Sequence, residues 1–244
     1  MRIGCEIVPN GALQCSRAGE FFTSLSPEAR SDFQSLESLN DYPGSAILFL
    51  EGETPSRVLI LREGQSKLSI NSIGGKRLIL GIARPTEILG LTSALSGNPY
   101  EVTAETMYPC KISSLSRQDF LGFFVRHRVA YQSAFREVSL DYSRACEQLR
   151  TLGLAITAQA KLARLLLEWC AGGHETERDN RFTIFLTHEE IGECIGTSRE
   201  TVTRTLNDFQ HRLLVELHGS TLVISNRSAL ERYAGNNLRR DRAS

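Results

Sequence analysis

The chain has 244 residues, enough for two modest domains each with its own core. Its 28 Lys and Arg balance 28 Asp and Glu, so no chain-wide positive field draws in nucleic acid, and any basic surface has to be local. No uninterrupted apolar run is long enough to span a bilayer, and the stretch around Cys5 and Cys15 lacks the apolar centre of a secretion signal. A cytoplasmic protein with no membrane partner is expected.

Residues 1–20 are loosely patterned and read as an N-terminal tail. Ser26-Pro27-Glu28 carries the marks of a helix start: a hydroxyl cap, a proline in the first turn and a carboxylate at the positive end of the helix. From Tyr42 to about Leu115 the texture changes to short apolar runs, Ala46 to Phe49, Val58 to Leu61 and Leu78 to Leu80, separated by glycine-bearing turns. Gly74-Gly75 sits like a hairpin tip. Regular short strands of this kind suit a roll or barrel, assigned here to 21–116.

The segment 117–156 reads as a connecting and dimerisation helix, whose long part begins near Val129. Phe135, Tyr142, Leu149 and Ile156 repeat at one heptad position, and Tyr131, Val138, Ala145 and Leu152 at the other, the alternating three-and-four spacing of a coiled-coil seam. A break near Ile156 and Thr157 is the expected hinge. Thr157 then caps a helix carrying Leu162, Leu165, Leu166 and Trp169 into a domain over 157–235, with a short tail over 236–244.

The most informative stretch lies in that last domain. Thr187-His188-Glu189-Glu190 has the form of a capping box, opening a helix through Ile191 and Ile195. Gly192 leaves room for close packing, Gly196 supplies a positive φ, and Thr197 or Ser198 caps the next helix. Val202 and Leu206 point inward at helical spacing, which leaves Arg199, Glu200, Thr203 and Arg204 outward. These residue types suit a DNA major groove, because arginine forks onto guanine and a carboxylate accepts from cytosine. Ser198, Thr201 and Thr203 are placed to reach phosphate or a neighbouring base. Phe209, Leu213 and Leu214 are expected to continue the apolar stripe, and His218 to Ile224 to form a turn and strand, the wing.

With these residues in view the chain resembles the cyclic-AMP receptor protein and fumarate-nitrate reduction regulator (CRP/FNR) superfamily of bacterial transcription factors. The likeness is closest from Leu186 to Ile224 and extends, more weakly, to Tyr42-Pro43-Gly44, Glu51-Gly52-Glu53 and Leu59 to Gly64 in the roll. It implies an α+β fold: an N-terminal β-roll like that of cyclic-nucleotide-binding domains, a long dimerisation helix and a C-terminal winged helix-turn-helix. It also implies a homodimer that binds a pseudo-palindromic operator. The loop from Gly172 to Arg178 resembles the surface through which relatives touch RNA polymerase.

The resemblance also identifies what is altered. Relatives that bind cyclic nucleotides carry a Gly-Glu pair and, about ten residues on, an Arg followed by a hydroxyl residue. Here Gly90 is kept, but Leu91 replaces the ribose-binding Glu, and Glu101 and Val102 replace the phosphate-binding pair. A carboxylate repels a cyclic phosphate, so cyclic AMP is not the expected effector. The oxygen-sensing branch suggests an alternative, a redox-responsive regulator using Cys5, Cys15 and Cys110. Three thiolates leave one corner of a four-ligand cluster unfilled, and no cofactor is expected. Cys146, Cys170 and Cys194 read as packing residues. Cupin enzymes share a roll shape but need clustered histidines, and the first histidine of this chain is His127, beyond the roll. No catalytic motif is visible, so an enzyme is not expected, and a non-DNA-binding adaptor is the remaining alternative.

Overall fold

The structure, a computed structural model, describes residues 20–154, 157–172, 181–183, 186–219 and 221–235. The tail with Cys5 and Cys15, the heptad residue Ile156, nearly all of the polymerase-like loop, Ser220 and the C-terminal tail lie outside the described residues.

Two short helices, α1 (Glu20–Ser24) and α2 (Pro27–Leu36), precede the roll; Ser26 caps α2 by accepting from the Ala29 N–H. The strands β1 (Ser38–Tyr42), β2 (Ile47–Phe49), β3 (Arg57–Glu63), β4 (Ser66–Asn71), β5 (Arg77–Ala83), β6 (Ile88–Leu89), β7 (Thr103–Thr106) and β8 (Cys110–Ser116) form two antiparallel sheets. Their orders are β1-β8-β3-β6 and β2-β7-β4-β5. The run Val58-Leu59-Ile60-Leu61 is buried throughout because β3 has covered faces on both sides. Leu59 and Leu61 enter the roll with Phe49, Tyr100 and Ile112, while Val58 and Ile60 meet a helical layer. That layer is built on phenylalanine: Phe21, Phe33, Phe120, Phe123 and Phe124 are fully buried and meet mostly edge to face, Phe33 and Phe123 with ring centroids 5.1 Å apart. The hairpin between β4 and β5 turns at Gly75, whose φ is +77°.

Between β6 and β7 lies α3 (Leu91–Ser96); after β8 come α4 (Arg117–Arg126) and the long α5 (Ala130–Leu154). Ala130, Ser133, Ala134, Glu137 and Thr151 are the buried residues of α5, the first four packed against α1 and the phenylalanine layer. Its other side exposes Tyr131, Phe135, Tyr142, Ala145 and Leu149, with Phe135 and Tyr142 each 72% exposed. Two residues of the expected seam differ. Val138 is half-buried against the phenylalanine layer of its own chain, and Leu152 is half-buried with its Cδ2 3.4 Å from where a β-carbon on Gly196 would sit. Their side chains lie toward the inner edge of the stripe, where the helix meets its own chain.

Thr157 accepts from the Ala160 N–H at 3.1 Å and starts α6 (Ala158–Gly172). The remaining elements are β9 (Arg181–Thr183), α7 (His188–Ile195), α8 (Arg199–His211), β10 (Val215–His218), β11 (Thr221–Ile224) and α9 (Arg227–Ala234). The sheet order β10-β11-β9 makes the wing, and Leu162, Leu166, Ile191, Val202, Leu206, Phe209, Leu222 and Leu230 share one core. The expected α+β architecture of roll, long helix and winged helix-turn-helix is thus the one observed. One local expectation fails: Leu213 does not continue the apolar stripe. The helix ends at His211, Leu213 turns at φ +55° and is 70% exposed, and Leu214 fills the core instead, its N–H donating to the Phe209 carbonyl at 2.9 Å.

Candidate nucleic-acid interface

Local chemistry fixes the two helices of the motif. At the start of α7 the Glu190 N–H donates to the Thr187 hydroxyl at 3.2 Å, and the Thr187 N–H donates to the Glu190 carboxylate at 2.8 Å, so the capping box is complete. Gly196 closes α7 in the left-handed region at φ +64°. Ser198 is the cap of α8, accepting from the Thr201 N–H at 3.3 Å. The two helices are also pinned side chain to side chain, His188 Nδ1 lying 2.8 Å from the Thr203 hydroxyl. That hydroxyl donates to the Arg199 carbonyl at 3.0 Å; the imidazole N–H is then the donor across the helix pair.

Val202, Thr205, Leu206 and Phe209 are the buried side of α8. On the opposite side Arg199, Glu200, Thr203, Arg204 and Asn207 line one open groove. Arg199 and Arg204 are exposed, and neither is tied into an ion pair within 4 Å among the described residues. The Glu200 carboxylate, held by its own backbone N–H and by the Ser198 hydroxyl, lies below the usual carboxylate range and stays ionised at neutral pH. Ser198, Thr201 and Thr203 have hydroxyls already engaged in capping or in contact with backbone and His188. The groove's side chains not engaged in this way are therefore Arg199, Arg204 and Asn207, while Glu200 keeps an ionised carboxylate at its edge. Asn207, four residues beyond Thr203, was missed although helical spacing alone puts it on this face. The His188 contact has no comparable local signature.

The altered cassette is a packed corner. Gly90 has φ +76°, and a β-carbon there would come 2.7 Å from the Tyr100 ring. That ring stacks on Phe49 at 4.0 Å, and its hydroxyl donates to the Arg57 carbonyl at 2.7 Å. Leu91 is buried, and the Ser93 hydroxyl donates to the Glu101 carboxylate at 2.6 Å. Arg117 reaches this corner from α4 but donates to the Ala94 carbonyl at 2.8 Å.

Cys110 is buried with its Sγ 3.1 Å from the Tyr108 carbonyl and 3.4 Å from the Gln65 carbonyl, and burial pushes its thiol above the ordinary range. Among the described residues no three His, Cys, Asp or Glu side chains are grouped to hold a metal, and no helix is long and apolar enough to cross a membrane.

Fold and groove together define a sensor-like roll joined to a winged helix-turn-helix. Residues 39–127 match the cyclic nucleotide-binding domain and 160–233 the Crp-like helix-turn-helix domain. The chain is 27% identical over 220 residues, 90% of its own length and 97% of the relative's, to the CRP-like cAMP-activated global transcriptional regulator of Mycobacterium tuberculosis. It is 30% identical over 197 residues to the transcriptional activator protein FnrA of Stutzerimonas stutzeri, covering 77% of each chain. Among solved structures, FixK2 from Bradyrhizobium japonicum superposes with a TM-score of 0.73 at 19% identity, over 81% of this chain and 96% of that one. The c-di-GMP responsive global regulator CLP of Xanthomonas campestris gives 0.68 at 17% identity, over 82% and 99%. The chain belongs to the CRP/FNR family of transcription regulators.

Proposed function

We propose that the protein regulates transcription from the cytoplasm as a homodimer that reads a pseudo-palindromic operator through α8. Its working parts are the roll over 21–116, the connecting and seam helix over 117–156 and the reader over 157–235. The observation that carries this reading is the division of α8 into two sides. Val202, Leu206 and Phe209 anchor it in the core, while Arg199, Glu200, Arg204 and Asn207 face an open groove with no competing ion pair on either arginine among the described residues. Arginine there suits the guanine edge and asparagine the adenine edge. The seam is the exposed stripe Tyr131, Phe135, Tyr142, Ala145 and Leu149 with Val138 and Leu152 at its inner edge, a two-fold arrangement that gives two half-sites about one DNA turn apart.

Relatives described as cAMP-activated do not extend that ligand to this chain. The Ser93 hydroxyl is committed to the Glu101 carboxylate and Leu91 offers the ribose nothing to bind, so a cyclic phosphate meets negative charge where it needs donors. Selection of bound sequences from random DNA tests the reading. Two inverted half-sites containing guanine steps are expected, and a single asymmetric site counts against the dimer. Calorimetry with cyclic AMP should give no binding above background; micromolar affinity would overturn this account of the roll.

A further inference from the structure

Thr203 lines the α8 groove, yet its hydroxyl is held twice by the protein itself. The oxygen lies 3.0 Å from the Arg199 carbonyl and 2.8 Å from His188 Nδ1. A carbonyl only accepts, so the single hydroxyl proton goes to Arg199 and the imidazole donates from Nδ1. The hydroxyl keeps no proton for a base and at most one lone pair. Guanine O6 and N7, adenine N7 and thymine O4 are acceptors on the major-groove edge, and a phosphate oxygen is one as well; this threonine has nothing to donate to any of them. What it retains for the groove is its γ-methyl.

That methyl is also held in one place. In a helix threonine divides between two rotamers, because its hydroxyl can bond a carbonyl one turn back, whereas valine keeps largely to one. His188 belongs to α7, so its N–H approaches the hydroxyl from outside the helix that carries Thr203 and selects one of the two positions. The tight turn over Gly192 fixes the two helices against each other, which keeps the imidazole in reach. Arg199, Thr203 and Asn207 follow at four-residue spacing along one ridge of α8, and the methyl therefore stands between an arginine fork and an amide.

Taking α8 as the reading helix, we propose that Thr203 is a specificity residue that recognises the C5-methyl of a thymine by apolar contact, and that His188 is the positioning residue that keeps the hydroxyl of Thr203 turned from the DNA. Thymine and 5-methylcytosine both present a methyl at this place in the major groove, and uracil and cytosine do not. Closing one methyl on another removes apolar surface from water, and a buried group of this size is worth about fourfold in affinity.

The test uses the full chain and the operator it selects from random DNA. Each thymine of the half-site is replaced in turn by deoxyuridine, and dissociation constants are measured by fluorescence anisotropy. At one thymine the change should weaken binding about fourfold per half-site, and 5-methylcytosine there should bind about fourfold better than cytosine. Thr203→Val keeps a methyl in place and should keep both ratios. Thr203→Ser keeps the hydroxyl without the methyl and should bring both ratios to about one. His188→Leu should shrink the ratios, and adding Thr203→Val to it should restore them, since valine needs no partner to hold its rotamer. Should His188→Leu fail to fold, His188→Phe, closer in shape, takes its place. An operator in which no thymine shows the loss overturns the methyl contact. A loss that survives Thr203→Ser assigns the methyl to another residue, and one that vanishes in Thr203→Val assigns the reading to the hydroxyl; either result overturns the role of Thr203. Unchanged ratios in a folded His188 variant overturn the positioning role. If the unmodified protein selects no operator, the DNA-reading assignment itself fails and Thr203 has no base to read.

Discussion

A β-carbon on Gly192 would lie 2.7 Å from the carbonyl oxygen of Thr197, nearer than a side chain can approach backbone without displacing it. The same two residues share a hydrogen bond, the Thr197 N–H donating to the Gly192 carbonyl at 2.9 Å. The turn that aims α8 is therefore folded directly over the glycine. Gly192→Ala should destabilise the reader by about 1–3 kcal/mol, because the turn has to shift as backbone. It should also weaken operator binding, since the shift moves the start of α8. Urea unfolding and a gel-shift titration check both effects; unchanged values would mean that the turn yields without cost.

Arg199 and Arg204 stand exposed on the open side of α8, with no ion-pair partner among the described residues, so each can be removed without leaving a buried charge behind. Replacing either with Ala should cost about 1–3 kcal/mol on the preferred operator and relax base preference at one position of the half-site. Stability should not change. Equal weakening on every sequence tested would assign that arginine to phosphate.

The legible parts of this chain are those decided within a few residues. Thr187 and Glu190 complete a capping box, and Gly196 turns at positive φ, because these choices depend only on neighbours three or four apart. Leu213 departs from the expected stripe because its place is decided beyond its near neighbours. Its turn at φ +55° carries no glycine to announce it and follows from how Leu214 and Val215 must enter the core. Strands of two and three residues, β6 and β9, are too short to show a period. The meeting of Lys67 with Glu190 spans 123 positions, and nothing local marks either residue for it. Val138 and Leu152 show the limit of a heptad: it names a stripe, while the packing of the chain decides which edge of the stripe stays free.

Phe135 and Tyr142 are the residues to change if the seam is to be broken without damage to the roll, because both are 72% exposed in the single chain. Phe135→Glu with Tyr142→Glu places like charges across the two-fold axis in a desolvated contact. The dimer dissociation constant should rise at least about a hundredfold. Sedimentation should show a folded monomer with weakened operator binding. An unchanged dimer of unchanged affinity would remove α5 as the seam.

Cys110 and Cys194 are both buried, and burial pushes the Cys194 thiol up to about 12, with Glu193 and Glu190 adding to the shift. Only the thiolate reacts, so at pH 8 about one Cys194 in ten thousand is in the reactive form, before access is considered. Cys110, also raised, should be slow as well, while the half-buried Cys146 and Cys170 should label first among these four. Labelling with a thiol reagent and peptide mapping should find Cys194 and Cys110 at least about a hundredfold slower in the native protein than after unfolding. Because a raised pKa leaves the thiol protonated until the pH approaches it, the Cys194 rate should climb about tenfold per unit between pH 8 and 9 as long as the fold is intact. Rapid native labelling of Cys110 would contradict its placement as a packed thiol and restore the redox reading of Cys5, Cys15 and Cys110.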